Sequence, residues 1–168
     1  MDVDEYLRTS FEDADCEYLD GEIVERSMPE VPHADVQYTL GRLLWPFRLS
    51  QGIRILPEIR IRISPTRYRV ADLAVWRDDN IGNGIPTVSP FLAIEILSPE
   101  DRITRTQPTQ PKIAEYLSIG VEWIWLIDPI EKSGRIPFNR TGKPSAEKGI
   151  DDQSRIVERG PCRILNRA

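Results

Sequence analysis

The chain has 168 residues, of which 40% are hydrophobic and 29% are charged, a composition typical of one globular domain. Its net charge of −5 excludes a protein held on nucleic acid by bulk positive charge, although a local basic face stays open. A single histidine and two widely separated cysteines exclude histidine-rich and cysteine-rich metal sites.

No apolar stretch approaches the roughly 20 residues that a membrane-spanning helix requires. Residues 1–5 are acidic, whereas a signal peptide begins with a basic and then an apolar region. We therefore expect a cytoplasmic protein with no membrane partner, in which Cys16 and Cys162 are reduced thiols.

The N-terminal third of the chain predicts a short helix over 4–8 and a β-hairpin over 17–25. The hairpin is centred on Asp20-Gly21, a dipeptide typical of tight hairpin turns. Apolar residues at helical spacing then predict a helix from His33 to about Ser50, which Pro46 ends or kinks.

Strict alternation predicts a strand over 53–63, with its isoleucines on one face. A second strand is predicted over 68–76. Five arginines of this region could form a basic face for nucleic acid, or simply a solvated strand surface: Arg54, Arg60, Arg62, Arg67 and Arg69.

The second half of the domain predicts a loop over 78–90, a strand over 91–97, a helix from Pro111 to a Gly120 cap, and a strand over 121–128. Residues 132–161 lack periodicity and predict loops or disorder, and 162–165 predict a short returning element. We expect a domain core over 1–131 and an irregular, partly disordered segment of the same domain over 132–168. The order of elements predicts an α/β (α+β) fold around a central mixed sheet flanked by helices.

Glu95 lies inside an otherwise apolar run, Phe91-Leu92-Ala93-Ile94-Glu95-Ile96-Leu97, which is typical of a strand buried on both faces. An ionised carboxylate there costs several kcal/mol unless a cation or strong donors compensate it. Asp72 repeats the pattern within the strand over 68–76. Both acids are candidate site residues, and the alternative for each is a structural ion pair.

Four further residues are candidates around these acids. Glu58 follows Pro57 in the neighbouring strand and could be a third metal ligand, or could pair with a nearby arginine. Lys112 lies in the first turn of a helix, where a cation is unfavourable, so it is either facing the acids or solvated. Tyr116, four residues later, would share its face. His33 could contact a phosphate or transfer protons, or be packed at a helix start.

Two strand carboxylates followed by a lysine are typical of metal-dependent phosphodiester cleavage. With oxygen ligands the metal would be Mg²⁺ or Mn²⁺. The carboxylates would hold the ion, and the lysine would activate water or stabilise the developing negative charge.

Eight segments in order carry a family resemblance, with the residues Tyr18-Leu19-Asp20-Gly21-Glu22-Ile23-Val24, Pro32-His33, Pro57-Glu58, Val70-Ala71-Asp72-Leu73-Ala74-Val75, Ala93-Ile94-Glu95-Ile96-Leu97-Ser98-Pro99, Lys112-Ile113-Ala114-Glu115-Tyr116, Gly120-Val121-Glu122-Trp123 and Asp128-Pro129. Together they resemble a large bacterial family of putative restriction endonucleases within the PD-(D/E)XK, or restriction-endonuclease-like, superfamily. The resemblance covers about residues 5–130.

The resemblance implies a restriction-endonuclease-like fold and Mg²⁺-dependent DNA cleavage. It implies that Asp72 and Glu95 are the metal-binding acids, with the backbone carbonyl of Ile96 as a further ligand. The superfamily lysine usually lies two residues after the glutamate, where this chain has Leu97. The family resemblance instead assigns the role to Lys112 on the following helix.

The chain departs from the family pattern at two places. Ala71 replaces the proline that usually precedes the aspartate, a change of little consequence because proline is not a ligand. Residues 106–111 lengthen the connection before Lys112, which favours the alternative of a catalytically inactive module that binds nucleic acid or a protein partner. Cutting two DNA strands requires two sites, so we expect a homodimer.

Overall fold

Nine strands of the described residues form one mixed sheet. The computed structural model describes residues 1–12, 16–77, 81–99, 109–135, 148–150 and 156–158. The strands are β1 (Glu17–Leu19), β2 (Glu22–Val24), β3 (Ile53–Ser64), β4 (Arg67–Arg77), β5 (Leu92–Ile96), β6 (Trp123–Asp128), β7 (Ser133–Arg135), β8 (Lys148–Ile150) and β9 (Ile156–Glu158). The helices are α1 (Val3–Arg8), α2 (Val31–Leu44), α3 (Phe47–Gln51) and α4 (Thr109–Ser118).

The strand order is β2-β1-β4-β5-β6-β7-β8-β9. β3 pairs with β4 on the edge opposite β1 and β5. β5 and β6 are parallel, and α4 lies in the crossover connection that a parallel pair requires. The other neighbours are antiparallel. The predicted mixed sheet flanked by helices is confirmed.

Two apolar clusters cover the two faces of the sheet. One packs Tyr116 and Ile113 of α4 against the Ala71, Ala74 and Ala93 surface of β4 and β5. The other packs α2 against the opposite surface of the same strands, through Leu40, Val36, Leu44, Leu73, Val75 and Ile94. The central strands are therefore buried on both sides, as the continuous apolar run around Glu95 predicts.

The predicted hairpin is confirmed as β1 and β2. Asp20 and Gly21 have φ of 53° and 104°, and a two-residue hairpin turn of this type requires positive φ at both positions. Pro46 ends the long helix as predicted: α2 stops at Leu44 and α3 begins at Phe47.

The predicted single face of isoleucines on β3 is wrong. Ile53 and Ile55 pack in the cluster beneath α2, whereas Ile59 and Ile61 pack in the cluster beneath α4. The alternation changes at Glu58, which has a φ of 47° and interrupts the regular pleat. The distortion lies directly opposite Asp72 on β4.

The C-terminal elements also differ from the prediction. α4 begins at Thr109, two residues before Pro111, and β6 begins at Trp123 rather than Val121. β7, β8 and β9 occupy part of the segment predicted to be irregular, because backbone pairing at a sheet edge needs no apolar pattern. Residues 100–108 and 162–165 lie outside the described residues.

None of the helices in the described part of the chain is both long enough and apolar enough to cross a membrane.

Candidate active site

Several of the predicted site residues line one cavity of about 360 Å³. Its wall includes Asp72 of β4, Glu95 and Ile96 of β5, Lys112 of α4 and His33 of α2. The cavity therefore joins side chains from two central strands and from the helices on both faces of the sheet.

Strand register explains why the acids meet. Leu73 pairs with Ile94, so Asp72 and Glu95 occupy the next opposed positions on β4 and β5. Pro57 and Ile59 pair with Leu73 and Ala71, which sets Glu58 opposite Asp72 on the other side. The three carboxylates thus lie in one row across β3, β4 and β5.

Asp72 is buried, and both of its carboxylate oxygens have partners. Oδ1 lies 2.5 Å from an Arg26 nitrogen, while Oδ2 accepts a hydrogen bond from the Ile96 N–H at 2.6 Å and lies 3.3 Å from His33 Nε2. Burial raises the pKa of Asp72, but His33, Arg26 and the Ile96 amide together hold it below its usual value. Asp72 is therefore an anion.

Glu95 is also buried and receives two donors from α4. The Tyr116 hydroxyl donates to Oε1 at 2.7 Å, and Lys112 Nζ lies 3.3 Å from Oε2. Burial raises the pKa of Glu95 to about 7, with Lys112 opposing the shift and the neighbouring Asp72 adding to it. The raised pKa of Glu95 means that a further positive charge, besides Arg26 and Lys112, would stabilise its ionised form.

Lys112 faces the acids, as predicted, and shares that face with Tyr116. Its ammonium is 2.9 Å from Glu17 and also donates to the Val70 carbonyl at 3.3 Å. Burial lowers the pKa of Lys112, but Glu95 and Glu17 outweigh that effect and raise it. Lys112 is therefore a fixed ammonium ion.

Glu17 and Arg26 are site residues that the sequence reasoning missed. Glu17 accepts from Val70 N–H at 3.1 Å and pairs with Arg69 at 2.6 Å, besides its contact with Lys112. Arg26 bridges Glu58 and Asp72. Both residues lie in or beside a short hairpin whose alternation gives no sign of burial. The sequence offers one weak indication, which is that the hairpin precedes two strands that each carry a carboxylate within an apolar run.

Glu58 lies beside the cavity rather than in its wall. One carboxylate oxygen pairs with Arg26, and the other accepts from Gln37 Nε2 at 2.8 Å. Glu58 is absent from the cavity lining, so its role as a third metal ligand stays a prediction. His33 forms part of the cavity wall, and its buried Nδ1 has no hydrogen-bond partner among the described residues.

The predicted basic face does not form along these strands. Arg69 is buried between Glu17 and Glu115, and Arg67 pairs with Asp20 and Glu115. Arg60 donates to the carbonyls of α1 and the residue after it, and stacks on the Tyr6 ring. Three of the five arginines therefore stabilise the fold instead of offering charge to a ligand.

The fit of this cavity to a divalent cation depends on Asp72 and Glu95. Among the described side chains, no group of three or more acids, histidines or cysteines is close enough to hold a metal ion. Asp72 and Glu95 nevertheless offer hard oxygen donors beside one cavity, and Mg²⁺ commonly binds one or two carboxylates and keeps several waters. The two carboxylates fit that pattern.

Comparisons with known proteins identify the family and the fold of the chain. The model of the Uma2 family, described as putative restriction endonuclease, matches residues 3–146. A crystal structure of a putative nuclease belonging to DUF820 from Anabaena variabilis is 25% identical, with a TM-score of 0.70, covering 86% of this chain and 83% of that one. The cryo-electron microscopy structure of a DrdV–DNA complex is 12% identical over 71% of this chain and 72% of that one, and its TM-score of 0.42 is too low to argue from. No curated protein matches the chain.

Proposed function

Because the chain belongs to the Uma2 family of restriction-endonuclease-like nucleases, we propose that it is an endonuclease that hydrolyses DNA phosphodiester bonds with Mg²⁺ or Mn²⁺. The nuclease class follows from the family and from the similar solved structure. DNA as substrate, the metal dependence and the residue roles are the proposal.

One observation carries it: Asp72, Glu95 and Lys112 line the same cavity although they come from different elements. A structural ion pair would need only one acid and one base. Here two buried carboxylates lie in adjacent strand positions, a costly arrangement that is typical of a cation site.

The positions of the two acids and Lys112 support the proposed roles. Asp72 and Glu95 would hold the divalent cation, with the Ile96 carbonyl as a further ligand by the family resemblance. When bound, such an ion polarises a phosphoryl oxygen and lowers the pKa of a bound water. Lys112 is held protonated by Glu17 and Glu95, so it stabilises the negative charge that develops on the phosphate rather than removing a proton from water.

Tyr116 and His33 support these groups. Burial and the neighbouring Glu95 raise the pKa of Tyr116 well above its usual value, so the phenol remains a hydrogen-bond donor that fixes the Glu95 carboxylate. His33 binds Asp72 through Nε2, which raises the pKa of the imidazole. Its Nδ1 is buried and has no partner among the described residues, so the proposed role of His33 is to orient the Asp72 carboxylate through Nε2.

The test is cleavage of supercoiled plasmid DNA by the purified chain with Mg²⁺ or Mn²⁺. Nicked circles should precede linear DNA, because one copy carries one site. Asp72→Asn and Glu95→Gln should abolish cleavage while the fold is retained, since each keeps the side-chain size and removes the charge. Asp35→Asn and Glu131→Gln, at exposed positions, are the matched controls and should cut like the wild type. Full activity in either site variant at saturating metal would refute the mechanism.

A second candidate is a catalytically inactive module of the same fold that binds nucleic acid or a protein. The observation favouring it is that Arg26 already supplies a cation to Asp72 and Glu58. Absence of cleavage of plasmid, single-stranded DNA and RNA, together with absence of metal binding by the folded wild type, would select this candidate. Cleavage of RNA alone would change the substrate and keep the mechanism.

A further inference from the structure

Arg26 occupies an unusual position for a residue outside the predicted site. It lies in the segment between β2 and α2, and its guanidinium reaches across to two strands. Nη1 pairs with Glu58, and Nη2 lies 2.5 Å from Asp72 Oδ1. Only 16% of its side chain is exposed.

We propose that Arg26 is the resident cation of this acid site and that a divalent metal ion binds only when Arg26 leaves Asp72. The inference rests on the proposed function, since it concerns the same metal site. It adds a residue that sets the metal affinity and that the sequence pattern does not indicate.

Charge balance within the row of acids favours a resident cation. Glu58 and Asp72 lie directly opposite each other on β3 and β4, where like charges destabilise a strand pair. Asp72 is buried, so water cannot screen its charge. The guanidinium bridges both carboxylates with two of its nitrogens, a geometry that arginine provides and lysine does not.

Arg26 occupies the Asp72 oxygen that a metal ion would need. The guanidinium lies on Asp72 Oδ1, while Oδ2 is held by the Ile96 amide and His33. A metal ion approaching Asp72 would share Oδ1 with Arg26. Two cations that share one carboxylate oxygen repel each other, and a divalent ion doubles the repulsion that a monovalent ion would meet. The two cations therefore compete for Asp72.

The position of Arg26 in the chain allows its side chain to move away from Asp72. Arg26 lines the same cavity as Asp72 and Glu95, together with Ser27 and Met28 of its own segment. That segment has no regular secondary structure, so the side chain can leave Asp72 without breaking a helix or a strand. Displacement thus requires loss of two ion pairs and no refolding of the sheet.

The experiment measures Mn²⁺ binding by isothermal titration calorimetry, without nucleic acid, in the full chain and its variants. Arg26→Gln should lower the dissociation constant by at least about tenfold, because the competing charge is gone. It should also lower the melting temperature of the metal-free protein, and Mn²⁺ should restore it. Arg62→Gln, an exposed arginine on β3, is the matched control and should leave the dissociation constant unchanged. If Arg26→Gln does not fold, Arg26→Lys carries the test, since an ammonium cannot bridge both acids and Mn²⁺ should still bind more tightly than in the wild type.

The outcomes separate this inference from the proposed function. Wild-type binding that is lost in Asp72→Asn but unchanged or weakened in Arg26→Gln would overturn the inference and leave the metal site intact. Binding by Arg26→Gln and not by the wild type would support the inference in its strongest form. Failure of both proteins to bind millimolar Mn²⁺ would refute the metal site and the inference with it.

Discussion

Lys112 lies closer to Glu17 than to Glu95: its Nζ is 2.9 Å from Glu17 Oε1 and 3.3 Å from Glu95 Oε2. Glu17 belongs to β1, so the N-terminal hairpin contributes directly to the placement of the α4 lysine. The buried carboxylate of Glu17 also pairs with Arg69 and accepts from the Val70 amide. The hairpin, the central strand β4 and α4 are thereby joined by one charged network.

Glu17→Gln should therefore destabilise the protein. The substitution removes the anion between Lys112 and Arg69, and breaking a buried ion pair on one side costs about 3 kcal/mol. Chemical denaturation should show this loss at pH 7. Glu22→Gln, at an exposed position of the same hairpin, should change the free energy of unfolding by less than about 0.5 kcal/mol. Equal stability of the two variants would show that the network contributes nothing.

The metal-free protein should lose stability as the pH rises from about 5 to about 7. The pKa of Glu95 is about 7 in the folded state and 4.5 in the unfolded chain, so the folded state binds more protons in this range. His33 acts in the same direction, because its raised pKa contributes stability that is lost as the pH rises through it. Each pKa unit corresponds to about 1.4 kcal/mol, which predicts a loss of a few kcal/mol.

Urea denaturation in the presence of a chelator, at half-unit pH intervals, measures this slope. Glu95→Gln should flatten it, because the amide does not titrate, while Glu131→Gln should leave it unchanged. Below pH 4.5 the trend should reverse, since the pKa values of Asp72 and Glu17 are lowered and their stabilisation is lost on protonation. Stability that rises steadily from pH 5 to 7 would contradict the raised pKa of Glu95.

Sequence patterns predicted the fold where periodicity is strong. The apolar run around Glu95 and the Asp20-Gly21 turn gave the central strand and the hairpin, because burial and positive φ select residue types directly. The face of Ile59 and Ile61 was mispredicted, since one residue with positive φ reverses the alternation and nothing in the composition of β3 marks Glu58 for that conformation.

The site was predictable only as far as burial marks it. Asp72 and Glu95 are conspicuous because each carboxylate interrupts a run of apolar residues. Glu17 and Arg26 are not conspicuous, because short polar strands and loops normally carry charged residues. Their burial depends on how the hairpin and the segment after it pack beside β4. The contacts that bury them join residues more than 40 positions apart.

Tyr116→Phe should destabilise the ionised site. The substitution removes the hydroxyl that donates to Glu95 Oε1 at 2.7 Å and leaves a buried carboxylate oxygen without this donor. A hydrogen bond to a charged group contributes about 1.5–3 kcal/mol, so the loss should be of that size at pH 8 and smaller at pH 5, where Glu95 is protonated. Tyr38 is 73% exposed, so Tyr38→Phe is the control for loss of a hydroxyl. An equal effect at both pH values would argue against a contact with the carboxylate.

Mg²⁺ and Mn²⁺ should raise the melting temperature of the wild type with the logarithm of their concentration. An ion that binds only the folded arrangement of Asp72 and Glu95 stabilises it by about 2.7 kcal/mol at 100 times its dissociation constant. Differential scanning fluorimetry across micromolar to millimolar metal measures the response. Asp72→Asn should erase it, because the amide cannot supply the negative charge, whereas Asp35→Asn at an exposed position of α2 should respond like the wild type. A melting temperature indifferent to both ions up to millimolar concentration would instead identify the acids as partners of Arg26, His33 and Lys112 alone.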